Sequence, residues 1–307
     1  MTRFEDPVRV VVPHVLAGKL VAACTADMDG HLWDAGNVER ARRVLAGGEG
    51  RAVVARLSRS VARGGAPGWA VLALPARLGD EELERAAAGV LAAIGRPFLS
   101  VPGGRGLWIG GESSADKDPG SFGGTGHNRL HVDAPNVERV PDYTALLVLR
   151  PDPAGGGASL VGDLRAAARE ISEADARELR RPVYFEGRAE GLLGVGAPRM
   201  PFPVLDDAGE DPSWIRWAAK MLDDPRNAGD TGALTRFDAA LSRHTRAVAL
   251  GRGQLLVCDQ RRAAHGRAPL GDQSGLPDGG RRMLMQAKAA FDALAPAQAT
   301  AVGGSDG

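Results

Sequence analysis

Cysteine is nearly absent: the 307 residues include two, Cys24 and Cys258, far apart in the chain. That number supports neither a disulfide framework nor a thiolate metal site. Net charge is absent as well, because 38 basic residues balance 38 acidic ones and no long run of either sign occurs. Nucleic acid and anionic membrane surfaces are therefore not expected as partners. No apolar run approaches the ~20 residues needed to cross a bilayer. Glu5 and Asp6 stand where a secretory leader would carry a basic segment followed by an apolar one. Internal repeats are missing too. These exclusions lead to the expectation of a soluble, cytoplasmic protein whose partner is a small molecule, and they say nothing of oligomeric state.

What the chain has in quantity is turn formers, 42 glycines and 20 prolines spread along its length. Such punctuation suits a scaffold of many short strands. Val8 to Val12 reads as an edge strand. Asn37 is placed to cap a helix running to Leu45, with Gly47 and Gly48 after it, and a second helix covers Arg51 to Ala62. Gly68 to Leu74 is a short apolar run between Pro67 and Pro75, the pattern of a buried strand. The clearest helix spans Asp80 to Ile94, where Leu83, Ala87, Val90, Leu91 and Ile94 form one stripe and three acids begin it. Residues 110–127, rich in Gly, Ser and Asp, read as a loop and a candidate lid.

Tyr143 to Arg150 and Ala158 to Val161 are expected strands joined by a tight turn at Gly155–Gly157. Helices follow at Leu164–Ile171, Glu173–Leu179 and Gly232–His244. Trp214, Trp217, Ala218 and Met221 share a helical spacing. Val248–Leu250 and Gln254–Asp259 read as a hairpin, His265 as part of a Gly/Arg-rich bend, and Arg281–Lys288 as a strand. Strands dominate after residue 129 and helices precede or interrupt them. The expected class is mainly β with helices (α+β): a jelly roll, or double-stranded β-helix, braced by helices. Residues 1–290 form one domain, with the β core over about 66–290, and 291–307 are expected to be a disordered tail.

Chemistry gathers at His131-Val132-Asp133. On an extended segment, residues two apart share a face. A distant histidine, His265, completes two nitrogens and one carboxylate, the facial set that leaves the opposite side of a metal open. Three protein ligands plus water also describe catalytic zinc, so the ligands alone do not choose the metal. Arg281 and Arg282 follow His265 by sixteen and seventeen residues on the next strand, where alternation lets one of them point inward. An inward guanidinium is shaped to clamp a carboxylate. Ser159, just past the glycine triplet, offers a hydroxyl to the same group. With the triad, these make a site for a chelating dicarboxylate.

Four stretches carry a family resemblance in order and spacing: GSFGGTGHNRLHVDAP (120–135), DYTALLVLRPDPAGGGASLVGDL (142–164), GQLLVCDQRRAAHGRAPL (253–270) and RRMLMQ (281–286). Over roughly residues 66–290 the chain resembles the clavaminate synthase-like and taurine-dioxygenase-like Fe(II)/2-oxoglutarate dioxygenases. The resemblance implies a double-stranded β-helix, Fe(II), 2-oxoglutarate as co-substrate, and O2. By motif, it implies that His131, Asp133 and His265 ligate iron. It further implies that Arg282 pairs with the distal carboxylate of 2-oxoglutarate and that Ser159 replaces a threonine at that carboxylate.

The expected reaction is oxidation, by default hydroxylation, of an unactivated C–H in a small molecule, plausibly an amino-acid- or peptide-derived metabolite of natural-product biosynthesis. Halogenating relatives carry a small residue in place of the carboxylate, so Asp133 argues against halogenation. Gln286 occupies the place of an arginine that in many relatives holds an amino-acid substrate. Arg129, on the face of His131 and Asp133, and Asn136, at the mouth, are further candidates for substrate contact. Two rivals remain at this level, a zinc hydrolase using the same ligands and a jelly-roll binding protein without catalysis.

Overall fold

The computed structural model describes residues 9–25, 34–62, 67–98, 107–186, 201–207 and 213–297. The first of its elements are β1 (Arg9–Val11), α1 (His14–Ala23), α2 (Ala35–Leu45) and α3 (Gly48–Val61). Next come β2 (Trp69–Ala73), α4 (Asp80–Leu91), β3 (Gly95–Phe98) and β4 (Ile109–Glu112). The site-bearing half opens with β5 (Asn128–His131), β6 (Tyr143–Arg150), β7 (Ser159–Asp163), α5 (Leu164–Glu170) and α6 (Glu173–Leu179). It continues through β8 (Leu205–Asp206), β9 (Trp214–Ile215), two 3-10 turns (Ala219–Asp223 and Pro225–Asn227) and α7 (Thr231–Arg243). Four strands close it: β10 (Thr245–Val248), β11 (Gln254–Asp259), β12 (Ala263–Arg267) and β13 (Met283–Phe291). None of the described helices is long and apolar enough to cross a membrane.

Two sheets face each other. The larger runs β1-β2-β11-β6-β13-β3, with β4 also on β13, and the smaller runs β10-β7-β12-β5. Side-chain alternation assigns each strand's two faces. On β6, Tyr143, Ala145, Leu147 and Leu149 pack outward under α1–α4, while Leu146 and Val148 point between the sheets. β11 repeats the pattern, with Leu255 and Val257 outward and Leu256 and Cys258 inward. A second helical layer, α5–α7, covers the outer face of the smaller sheet at Leu130, Val132 and Ala264. Each such buried aliphatic side chain contributes about 1.5–3 kcal/mol. The resulting order is helices, sheet, sheet, helices, with the chemistry held between the sheets. The expected jelly roll braced by helices is what the chain forms.

Several local expectations need correcting. Asp34, not Asn37, caps α2, accepting the Asn37 N–H at 2.8 Å; Asn37 is buried and donates to the Thr25 carbonyl. Strand β4 takes the first residues of the expected 110–127 loop because the edge of β13 pairs Gly110 with Met285. Residues 214–221 are no helix: they form β9 and a 3-10 turn. The Trp217 carbonyl takes the Val132 N–H at 2.8 Å, so this segment completes the otherwise unpaired edge of β5. β10 and β11 are not a hairpin, since β10 pairs with β7 in one sheet and β11 with β2 and β6 in the other. His265 lies inside β12 rather than in a bend.

The expected tail is ordered at its start. Phe291 ends β13, Asp292 pairs with the buried Arg42 at 2.7 Å, and Ala297 is buried with its N–H on the Ala93 carbonyl. The rest of that expectation, 298–307, lies outside the described residues.

One close approach positions the site. The pairing of β12 with β5 shifts register between His265 and Arg267. A Cβ on Gly266 there would come within 2.7 Å of the Asn128 carbonyl oxygen. Gly266→Ala is expected to push the two strands apart and cost about 1–3 kcal/mol, the usual penalty of overpacking. Denaturant unfolding measures the cost, and an unchanged midpoint would show that β5 and β12 are not held this tightly.

Candidate metal centre

Cross-strand pairing brings the two histidines together. His131 and His265 are direct partners in the β5–β12 ladder, and their rings lie 4.4 Å apart between centroids. Asp133 lies two residues beyond β5, still extended enough to share the face of His131. Its Oδ1 is 3.9 Å from His131 Nε2 and 3.8 Å from His265 Nε2. The three ligand atoms fall within 4.8 Å of one another, making this the one such His/Cys/Asp/Glu group among the described residues. Ala134, the next residue, has φ +51° and turns the chain away from the site. A non-glycine residue in that region stores strain of order 1–3 kcal/mol, a cost met often beside functional groups.

Protonation states suit metal binding. The His131 Nδ1 lies 2.8 Å from the Arg129 carbonyl oxygen; as the donor there, it leaves Nε2 free to ligate. Burial pushes the His131 imidazole below its ordinary pKa and His265 down to about 3, so both are neutral near pH 7. Burial by itself would raise the Asp133 carboxyl. The Lys288 ammonium, then the two imidazoles and a hydrogen bond from Thr144, outweigh it and hold the group below the usual carboxylate range. Two neutral nitrogens and an ionised oxygen, converging on one point, fit a divalent cation.

A scaffold behind the carboxylate keeps it in place. Gln286 Nε2 donates to Asp133 Oδ2 at 3.0 Å and contacts Oδ1 at 3.3 Å and Thr144 Oγ1 at 3.2 Å. Gln260 accepts the Asp133 backbone N–H at 2.5 Å and donates to the Pro141 carbonyl. Gln286 therefore braces a ligand besides lining the cavity. Gln260, Thr144 and Lys288 were not singled out from sequence. For Lys288 a signal existed: the inward alternation of β13 through Arg282, Leu284 and Gln286 reaches it next.

That alternation also separates the two arginines. Arg282 is buried, whereas Arg281 lies partly exposed 3.8 Å from Asp278. Arg282 and the buried Ser159 line a cavity of about 160 Å³ together with Gly155–Gly157. Gly157 has φ +69°, and a Cβ on it would meet Leu270 Cδ2 at 2.3 Å and Arg282 Nε at 3.4 Å, so the glycine turn closes over the guanidinium. Burial, and then the neighbouring Arg267, lower Arg282 to about 10, which still leaves it a cation near pH 7. No carboxylate among the described residues lies within ion-pair distance of it. A buried guanidinium facing a cavity without a partner is costly unless an anion joins it.

His131 and Asp133 open onto a cavity of about 240 Å³ that includes Phe122, Arg129 and Gln286. It meets an outer cleft of about 650 Å³, and the two share Gly120, Arg129, Glu186 and Lys220. Arg129 lines both cavities, paired with Asp223; the mouth position is the one expected of Asn136. Asn136 is not there: it is fully buried and donates to the Glu186 carbonyl at 2.8 Å, so it anchors the rim instead of facing a ligand. The 113–127 loop is pinned across the site. Buried Arg267, two residues past His265, donates to the carbonyls of Phe122 at 3.0 Å and Gly126 at 2.5 Å.

A sequence model of the taurine catabolism dioxygenase TauD, TfdA family matches residues 66–191, a span that holds His131, Asp133 and Ser159. The resemblance read from the motifs is borne out over that span. No curated protein sequence gives a significant match. Among solved structures, an asparagine oxygenase in complex with Fe(II), 2S,3S-3-hydroxyasparagine and succinate is 21% identical with a TM-score of 0.70, over 92% of this chain and 93% of that one. The non-heme iron oxygenase OrfP in complex with Fe and alpha-ketoglutaric acid is 19% identical with a TM-score of 0.69, over 94% and 95%. OrfP in complex with Fe, succinate and (3S)-hydroxy-L-Arg gives 18% and 0.68, over 92% and 94%. The chain shares their fold.

If the triad is a metal centre, His131→Ala, Asp133→Ala or His265→Ala should each weaken Mn(II) binding at least 100-fold, since each removes one of three ligands. Equilibrium dialysis measures this, and undiminished binding in any of them would remove that residue from the site.

Proposed function

We propose that the protein is an Fe(II)- and 2-oxoglutarate-dependent oxygenase that hydroxylates a small, polar, amino-acid-derived metabolite. The observation that carries the reading is Arg282: a buried cation, aimed at a cavity inside the same barrel as the triad, with no carboxylate among the described residues within ion-pair distance. Asp152, on the same cavity, accepts instead from the backbone N–H groups of Ala154, Gly156 and Gly271 and from Gln273. A zinc hydrolase or a passive jelly-roll binder has no use for that arginine. A five-carbon dicarboxylate does, and iron with such a co-substrate supplies oxidation of an unactivated C–H when both are bound.

In this reading His131, Asp133 and His265 hold the metal on one side and leave the other side for ligands. Arg282 and Ser159 hold the distal carboxylate of 2-oxoglutarate. Gln286, Thr144 and Gln260 keep Asp133 from rotating, which preserves ligand geometry through the reaction. Phe122 and the pinned loop restrict water at the metal cavity. Asp133 occupies the position that would have to be small for a halide, which favours hydroxylation.

The charges around the mouth support a polar substrate. Lys220 and Glu186 line both the inner cavity and the outer cleft, beside the Arg129–Asp223 and Arg226–Asp224 pairs. A molecule bearing an ammonium and a carboxylate finds complements of both signs there. The structural neighbours that hold hydroxyasparagine or hydroxyarginine support the same class. With no arginine at position 286, a substrate carboxylate is left to Lys220 or Arg129. A cytoplasmic setting suits an Fe(II) enzyme whose chain shows no nucleic-acid or membrane signature.

Purified protein should turn 2-oxoglutarate into succinate only with Fe(II) and O2, and faster when a suitable amino-acid derivative is added. Arg282→Ala should raise the KM for 2-oxoglutarate about 10- to 100-fold, the worth of a charge-assisted hydrogen-bonded contact, while Mn(II) affinity stays near wild type. Zinc-only activity, or an unchanged KM, would overturn the reading.

A further inference from the structure

Lys288 neither ligates the metal nor lines the co-substrate cavity, yet it is a lysine placed inside the barrel, with its side chain 6% exposed. It follows Leu284 and Gln286 on the inward face of β13, opposite Thr144 of β6, with Arg282 just ahead of the strand. Its Nζ is 3.7 Å from Asp133 Oδ2. Among the described residues no other carboxylate lies within ion-pair distance of it. Stranding an ammonium in a protein interior is expensive, so the position of Lys288 depends on Asp133.

The two oxygens of Asp133 face different partners. Oδ1 looks toward both imidazole Nε2 atoms, at 3.9 and 3.8 Å. Oδ2 looks away, toward Gln286 Nε2 at 3.0 Å and Lys288 Nζ at 3.7 Å. The ammonium therefore engages the oxygen that the histidines do not. The carboxylate and the lysine, 3.7 Å apart, cancel one another's charge. A divalent cation entering this pocket meets a neutral site that already contains a positive group, where one carboxylate without a counter-ion would have drawn it in.

Resting on the reading of the triad as a metal centre, we propose that Lys288 is the built-in counter-charge of Asp133. It holds the carboxylate in a single orientation in the metal-free protein, and it does so at the expense of metal affinity. The metal and the ammonium compete for one carboxylate. A second consequence concerns the next ligand: the metal-loaded pocket carries surplus positive charge, which favours an anionic co-substrate over water. Lys288 is thus a positioning residue, acting through Asp133, and a determinant of how the metal and the dicarboxylate bind in sequence.

The test uses the full chain with Lys288→Met, Lys288→Gln, Asp133→Asn and the Asp133→Asn/Lys288→Met double variant. Mn(II), which resists air oxidation, is the probe in calorimetric titration. Removing a positive charge this close to the cation should tighten Mn(II) binding about tenfold or more. Met and Gln should act alike, because charge and not hydrogen bonding is at issue. Folded Lys288→Met protein that binds Mn(II) no better than wild type would overturn the proposal.

A metal-free arm guards against misfolding. Asp133→Asn strands the ammonium, so its melting temperature should fall, and adding Lys288→Met should recover part of the loss. A double variant no more stable than Asp133→Asn would likewise overturn the pairing. Should that recovery appear while wild type binds no Mn(II), the metal reading of the triad fails and the counter-charge role stands without its effect on affinity.

Discussion

The antiparallel pairing of β5 with β12 is the contact on which the site depends. It sets His131 opposite His265 without help from any loop, and it leaves Asp133 just past the strand end, where the chain can still deliver its carboxylate to the same face. Register matters more here than residue identity, since a slip of either strand by one position would turn its imidazole toward α5–α7 and away from its partner. The helical layers serve that register. They bury Leu130, Val132 and Ala264 on the outer face, so any slip would expose apolar groups while hiding the polar ones.

Around this pairing the interior is divided by charge. One end holds the carboxylate with its braces, the other holds Arg282 with Ser159 and a glycine turn, and β13 runs between them carrying a residue for each task. A rigid strand spaces the groups more reproducibly than a loop would. At the carboxylate end the polar groups satisfy one another: Gln286 touches Asp133 and Thr144, Gln260 bridges Asp133 to Pro141, and Lys288 answers Asp133.

Much of this was legible in the chain. Period-two alternation exposes the His-x-Asp face and, on β13, favours one of two adjacent arginines; hydrophobic periodicity locates α4, α6 and α7 within a few residues. What stayed hidden depends on partners far away in sequence. Gln260 is an ordinary turn residue until Asp133 is beside it, and Arg267 is one arginine in an arginine-rich stretch until the loop folds across. Residues 214–221 have helical spacing, yet the hydrogen-bonding demand of the β5 edge makes them extended. The expected β10–β11 hairpin failed for a similar reason: the five residues between the strands cross from one sheet to the other instead of reversing within one.

Arg267 ties the 113–127 loop to the strand that carries His265, and this has a bearing on how such a protein can diversify. A segment anchored by two backbone carbonyls on a metal-bearing strand is part of the chassis, and insertions in it would be felt at the ligands. The opposite rim is tied to β5 as well, through the Arg129–Asp223 pair and the Trp217 carbonyl on the Val132 N–H, but the side chains of Glu186 and Lys220 line the cleft itself. New substrate preferences are more readily acquired there, by exchanging rim side chains while the oxidising centre is inherited intact. Anyone redesigning the protein for another metabolite would begin at that rim and leave the loop untouched.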